Sequence, residues 1–155
     1  LRKTESMVVS SIFEQIGNDL YSRKLSIEEI LKEIIEQYPS YLNSLRNWWL
    51  SEFFDLYKID KDYLFKNIKK ENFFWRLSLN EKRKFLFYRI EDSDEAIKAI
   101  VGNVTKQKIE KVEKFNQSKD KKYSEIYNET LSLINFNELK KMRYQLLNEI
   151  ERFFY

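Results

Sequence analysis

This sequence predicts an all-α fold, an irregular bundle of about seven or eight helices with a C-terminal antiparallel helical hairpin. Three observations predict it. The 155 residues include only two Gly and one Pro, and so few breakers favour long regular elements over a loop-rich fold. Apolar residues recur at helical spacing along most of the chain. Capping signatures stand where several of those stripes begin.

In chain order, Met7, Val8, Ile12, Phe13, Ile16 and Leu20 lay out a first helix over residues 7–21, with Gly17-Asn18 weakening its last turn. Leu25-Ser26-Ile27-Glu28-Glu29 is a capping box. Ser26 can accept from the Glu29 N–H while the Glu29 carboxylate reaches back to the Ser26 N–H. Ile27, Ile30, Leu31, Ile34 and Ile35 carry the second helix, expected to end near Tyr38 because Pro39 disfavours helical backbone at the residue before it.

A third helix over residues 40–58 centres its apolar face on Leu42, Leu45, Trp49, Phe53 and Leu56. At α-helical pitch Trp48 falls about 120° to one side of that centre and Phe54 a similar angle to the other. Arg46, near the apolar side, is expected to snorkel outward or pair with a carboxylate.

Asp60 can cap a short helix through Tyr63, Leu64, Phe65 and Ile68. The run Asn72-Phe73-Phe74-Trp75-Arg76-Leu77 is apolar without clear period, and Ser78-Leu79-Asn80-Glu81 repeats the capping-box pattern. Lys84-Phe85-Leu86-Phe87-Tyr88-Arg89-Ile90 has strand composition. With no second convincing strand to pair with it, a helix buried all round is the expectation.

Ser93-Asp94-Glu95 opens another helix with two acids suited to its dipole, and Gly102-Asn103 is expected to end it. Helical spacing resumes at Val104, Ile109, Val112 and Phe115 and fails over the polar residues 116–122. It returns at Tyr123, Ile126, Tyr127, Leu131 and Ile134. A final helix carries Phe136, Leu139, Met142, Leu146, Ile150 and Phe153. The whole reads as one helical domain over residues 1–155, with a subdivision near 103 between an aromatic-rich core and the hairpin at 104–155.

Function is bounded first by absence. The chain has neither His nor Cys, which removes the usual general base, the commonest metal ligand and the thiolate nucleophile. No catalytic residue, cofactor or metal site is assigned. The acidic group Glu91, Asp92, Asp94 and Glu95 would have to supply at least six oxygen ligands with water to hold a hard divalent cation, and capping already accounts for its last two members. A non-enzymatic binding protein is the expectation. No apolar run approaches the 18 or so residues of a membrane span, and the lack of Cys fits a reducing compartment, so a cytoplasmic location is expected. The first residue is Leu rather than Met, as in a fragment or a processed product.

Charge then suggests partners. The net +3 is unevenly spread: residues 58–90 hold ten Lys and Arg against four acids. There Lys66, Lys69, Lys70, Arg76, Lys82, Arg83 and Arg89 are candidate phosphate contacts for DNA or RNA, with Trp75 or Tyr88 stacking on bases. A second, weaker block comprises Lys106, Lys108, Lys111, Lys114, Lys119, Lys121 and Lys122, diluted by nearby acids. AT-rich codon usage would also enrich lysine, and Phe and Trp among cations are usually core. The alternative is a protein-interaction module, such as an adaptor, assembly subunit or inhibitor of viral or mobile-element origin. It would use an exposed aromatic patch at Tyr41, Trp48 and Phe54. Homodimerisation through the C-terminal helices is a further expectation, because 16% aromatic residues is a great deal for one small core to hide.

Overall fold

The computed structural model describes residues 3–89, 92–106, 108–112 and 121–155. They are mostly helical, with a small antiparallel sheet. The order is α1 (Thr4–Arg23), α2 (Ile27–Asn47), a π-helical segment (Trp48–Asp55), α3 (Lys61–Asn67), β1 (Lys69–Lys70), β2 (Trp75–Ser78), β3 (Lys84–Phe87), α4 (Ser93–Thr105), α5 (Ser124–Leu133), α6 (Phe136–Lys141) and α7 (Gln145–Phe154).

α1 buries Val8, Val9, Ile12, Phe13 and Leu20 against α2, and α5 packs on both helices. The expected capping box starts α2: Ser26 accepts from the Glu29 N–H, and the Glu29 carboxylate accepts from the Ser26 N–H at 2.8 Å. The expected end near Tyr38 is not observed, because α2 runs through Pro39 to Asn47. Ile30, Ile34, Tyr38 and Leu42, four residues apart, form a single buried stripe that crosses the proline. Each such side chain gains about 1.5–3 kcal/mol on burial, together more than the ~3 kcal/mol cost of an interior proline. Pro39 sits on the solvent face, and the carbonyl that loses its donor belongs to the exposed Ile35, where water can replace it.

The third helix is continuous with α2, but its chain winds as a π-helix. At roughly 80° per residue instead of 100°, Phe54 lies about 40° from Trp49 rather than about 140°. Phe54 therefore joins Trp49 and Phe53 in the core. The segment ends with Lys58 in left-handed conformation at φ 55°, the Ile59 N–H donating to Phe54 O at 3.0 Å and the Lys58 N–H to Asp55 O at 3.3 Å. This is a Schellman closure, with Ile59 and Phe54 both buried in the same apolar core. Asp60 then caps α3 through the Tyr63 N–H at 2.5 Å, as expected.

The helix expected over residues 84–90 is instead strand β3. Its partner β2 was concealed in the aperiodic aromatic run. The register pairs Trp75 with Phe87, Arg76 with Leu86, Leu77 with Phe85 and Ser78 with Lys84, and β1 adds Lys69 opposite Arg76 and Lys70 opposite Trp75. Ser78 to Glu81 is no helix start. Asn80 Oδ1 accepts from the Lys82 and Arg83 N–H groups at 2.9 Å, and the Leu79 N–H donates to Arg83 O, which turns the chain back as a hairpin. Trp75 and Leu77, with Phe85 and Phe87 partly covered, face the core. There Trp75 meets Phe154 edge-on at 5.1 Å, and Phe87 packs against Trp49, Phe53 and Phe154.

α4 begins near Ser93 as expected but continues past Gly102 to Thr105, and Lys106 takes the left-handed cap, its N–H donating to Gly102 O. Residues 108–112 carry no regular structure, so the helical spacing at Ile109 and Val112 does not form a helix there. Phe115 and most of the polar stretch 116–122 lie outside the described residues, and so does part of the link that would join a C-terminal hairpin to α4. The single final helix is two, α6 and α7, separated by Met142 to Tyr144. No helix among the described residues is long and apolar enough to cross a membrane.

Candidate nucleic-acid interface

Strand alternation sorts the first basic block. Because Trp75 and Leu77 face the core, Arg76 and Ser78 face solvent, and with them, across the register, Lys69, Leu86 and Lys84. Beside this outer face the hairpin turn carries Lys82 and Arg83, both exposed. The result is one strip running from Lys69 through Arg76 and Lys84 to the turn. Among the described residues, Lys69, Lys82, Arg83 and Lys84 have no carboxylate within ion-pair distance, whereas Arg76 Nη2 lies 2.9 Å from Glu71 Oε1.

The remaining expected contacts are placed elsewhere. Lys66 stands exposed on α3. Lys70, across from Trp75, lies over the edge of the core side with its ammonium 5.4 Å from the Trp75 ring. Arg89 is held by Asp92, with Nε at 2.6 Å and Nη2 at 2.5 Å from Oδ2, and its guanidinium lies 5.8 Å from the Tyr155 ring. Trp75 is 5% exposed, so its expected stacking face is taken up by the core. Tyr88 is half-buried and already engaged. Lys84 belongs to the same basic block without being among the expected contacts, and Phe73, an aromatic interleaved with that block, is 42% exposed in the turn between β1 and β2. The alternating exposure of residues 84–87 was the signal for Lys84, visible only once a partner strand is known.

In the second block Lys106 is a helix cap and Lys121 lies 3.4 Å from Glu14, while Lys114 and Lys119 fall outside the described residues. Glu91 of the acidic group also falls outside them. Asp92 is tied to Arg89 and stands at the N-cap of α4.

The aromatic patch expected at Tyr41, Trp48 and Phe54 is not assembled. Phe54 is 7% exposed because π winding turns it inward. Tyr41 is half-buried and its hydroxyl donates to Gln15 Oε1 at 2.6 Å. Trp48 alone remains open, at 44%, stacked beside Phe53 at 6.3 Å between centroids. Among the described residues Arg46 pairs with no carboxylate; its guanidinium lies 5.0 Å over the Tyr144 ring. A different apolar groove of about 300 Å³ runs between α2 and α5–α6, with Ile35, Leu133 and Met142 on its rim. The charges beside it pair among themselves, Lys32 with Glu36 and Lys141 with Glu138.

No protein-family model, curated protein or solved structure is similar to this chain at a significant level.

Proposed function

We propose that this chain is a non-enzymatic nucleic-acid-binding protein that lays the outer face of its β-sheet and the β2–β3 turn along a phosphate backbone. One observation carries the reading: antiparallel register brings Lys69, Arg76 and Lys84 to one solvent face beside Lys82 and Arg83, and four of these five have no carboxylate partner among the described residues. Unpaired cations on a rigid scaffold are what phosphate contacts require, since a cation already paired gains little by exchanging one anion for another. A two-stranded antiparallel ribbon is also an established way to present side chains to a nucleic-acid groove. The groove at α2 and α5–α6 supports a protein partner less specifically, because its flanking charges are satisfied internally and select no chemistry.

The test is fluorescence anisotropy with labelled DNA and RNA, single- and double-stranded, at about 50 and 200 mM salt. Each phosphate neutralised contributes roughly 0.7–0.9 to the slope of log K against log salt. The triple variant Lys82→Gln, Arg83→Gln, Lys84→Gln is therefore expected to make that slope shallower by about 2–3. Absence of binding by the unaltered chain at 50 mM salt overturns the proposal.

A further inference from the structure

A cleft of about 330 Å³ opens beside the basic turn, between the end of the π-helical segment and β2–β3. Tyr57, Lys58, Asp60, Tyr63, Asn80 and Arg83 supply its polar and aromatic lining. We infer that this cleft receives an unpaired base of a single-stranded nucleic acid. The base stacks on Tyr63 beside Tyr57, and the flanking phosphates lie on Lys58 and Arg83. The inference rests on the nucleic-acid reading above and specifies which form of nucleic acid the surface prefers.

Its local construction follows from the sequence. The left-handed turn at Lys58 ends the π-helical segment and leaves Tyr57 and Lys58 at the surface while Ile59 turns inward. Asp60 starts α3, which presents Tyr63 one turn later, and the Tyr63 backbone N–H occupies Asp60 Oδ1. Across the opening, Asn80 uses its side-chain oxygen to hold the backbone of Lys82 and Arg83, so the hairpin tip is fixed and the Asn80 amide N–H groups are left to donate elsewhere.

The two tyrosines differ in a way that suits the task. Tyr57 is held edge-on by Phe85 at 4.5 Å and in a tilted contact by Phe53 at 5.9 Å, a fixed wall. Tyr63, equally exposed at 39%, touches no other ring among the described residues, so its face is open to a ligand. Aromatic faces next to unpaired cations accept any base, but only one that is not already stacked and paired in a duplex. A duplex can reach the sheet and turn with its phosphates, but its bases cannot enter the cleft.

The experiment compares three labelled probes of equal length at about 50 mM salt: oligo(dT), an abasic oligomer with the same phosphates, and a duplex. The unaltered chain is expected to bind oligo(dT) roughly tenfold tighter than the abasic strand, the increment of a single stacked base. Tyr63→Leu should abolish that preference while leaving abasic and duplex affinities unchanged, and Tyr63→Phe should keep it. Equal affinity for oligo(dT) and the abasic strand, or a preference that survives Tyr63→Leu, overturns the cleft and leaves the sheet reading standing. No binding to any probe overturns both. A thermal melt of Tyr63→Leu that matches the unaltered chain confirms that the exposed substitution leaves the fold intact.

Discussion

Glycine and lysine exchange their usual places in this chain. The non-glycine residues at positive φ among the described residues are Lys24, Lys58 and Lys106, each closing a helical segment, at a cost of roughly 1–2 kcal/mol apiece relative to glycine. Gly17 instead lies inside α1, where a Cβ would come within 2.8 Å of Cδ1 and 2.9 Å of Cγ of Tyr123. The ring is buried and packed against Phe13 at 5.8 Å, and an atom so near the root of the side chain cannot swing aside. Gly17→Ala gains about 1 kcal/mol in helix propensity against an overpacking cost of about 1–3 kcal/mol. The net expected outcome is a loss of about 1 kcal/mol, seen as a lower urea midpoint with an unchanged slope. Composition made Gly17 look like a weak point in the helix, whereas packing makes it the point of closest approach between α1 and Tyr123. Nothing within a few residues of Gly17 could have announced a neighbour more than a hundred positions away.

At the scale of elements, local signals succeeded where the competing forces were local. The Ser26 capping box and the Asp60 cap satisfy N–H groups three residues away, so their partners could be read directly. Pro39 and the residues after Ser78 failed because long-range burial outweighed a local preference. Because the Ile30-to-Leu42 stripe holds α2 continuous through the proline, Pro39→Ala should restore the missing hydrogen bond without changing the fold. An increase of about 1–3 kcal/mol is expected, reduced by the greater unfolded-state entropy of alanine. Thermal denaturation followed by circular dichroism is the check, and a fall in stability would show that the proline conformation is needed. The candidate site was half legible for the same reason. Sequence located the basic block, but only the strand register decides that Lys69, Arg76 and Lys84 share a face while Trp75 turns into the core. The expected stacking residues, Trp75 and Tyr88, are each committed to packing or another contact. Tyr63 stands in the sequence both on a helix stripe and among the aromatics interleaved with the basic block, but spacing alone does not set it apart as the ring left open.

Across the whole molecule, a buried ionic cluster joins the two ends of the described chain. Arg143, between α6 and α7, bonds Glu5 of α1 through Nε and lies 2.9 Å from Glu151 of α7 through Nη2. The Thr4 N–H donates to the other Glu151 oxygen at 2.9 Å. The Tyr38 hydroxyl lies close by without a hydrogen-bond partner among the described residues, and burial, reinforced by the Glu5 charge, raises its pKa well above the usual phenol range. For Glu151, burial favours the neutral acid but is outweighed by the Thr4 N–H and the Arg143 charge, so its pKa is lowered. A carboxylate with a lowered folded-state pKa stabilises the fold above its unfolded value, and that contribution is lost as pH falls through the folded value. Stability should therefore decline below the ordinary glutamate range of about 4.3. Arg143→Met, which strands Glu5 with 3% of its side chain exposed, is expected to cost about 3–5 kcal/mol at neutral pH. The gap to the unaltered chain should narrow toward pH 3 in urea titrations, and a gap independent of pH would mean that the ion pairs contribute little.

By itself the sequence determined a mostly helical chain, the caps that start α2 and α3, the exclusion of histidine and cysteine chemistry, and the concentration of cations in residues 58–90. These depend on residue type and on neighbours within one helical turn, where spacing alone carries the physics. Tertiary structure alone decided that the chain passes through Pro39, that Trp48–Asp55 winds as a π-helix, that residues 75–87 pair as a hairpin, and which cations and tyrosines remain exposed beside it. Each of those outcomes is set by burial against residues remote in sequence, and the free energy of that burial exceeds the one or two kcal/mol by which local preference distinguishes helix from strand.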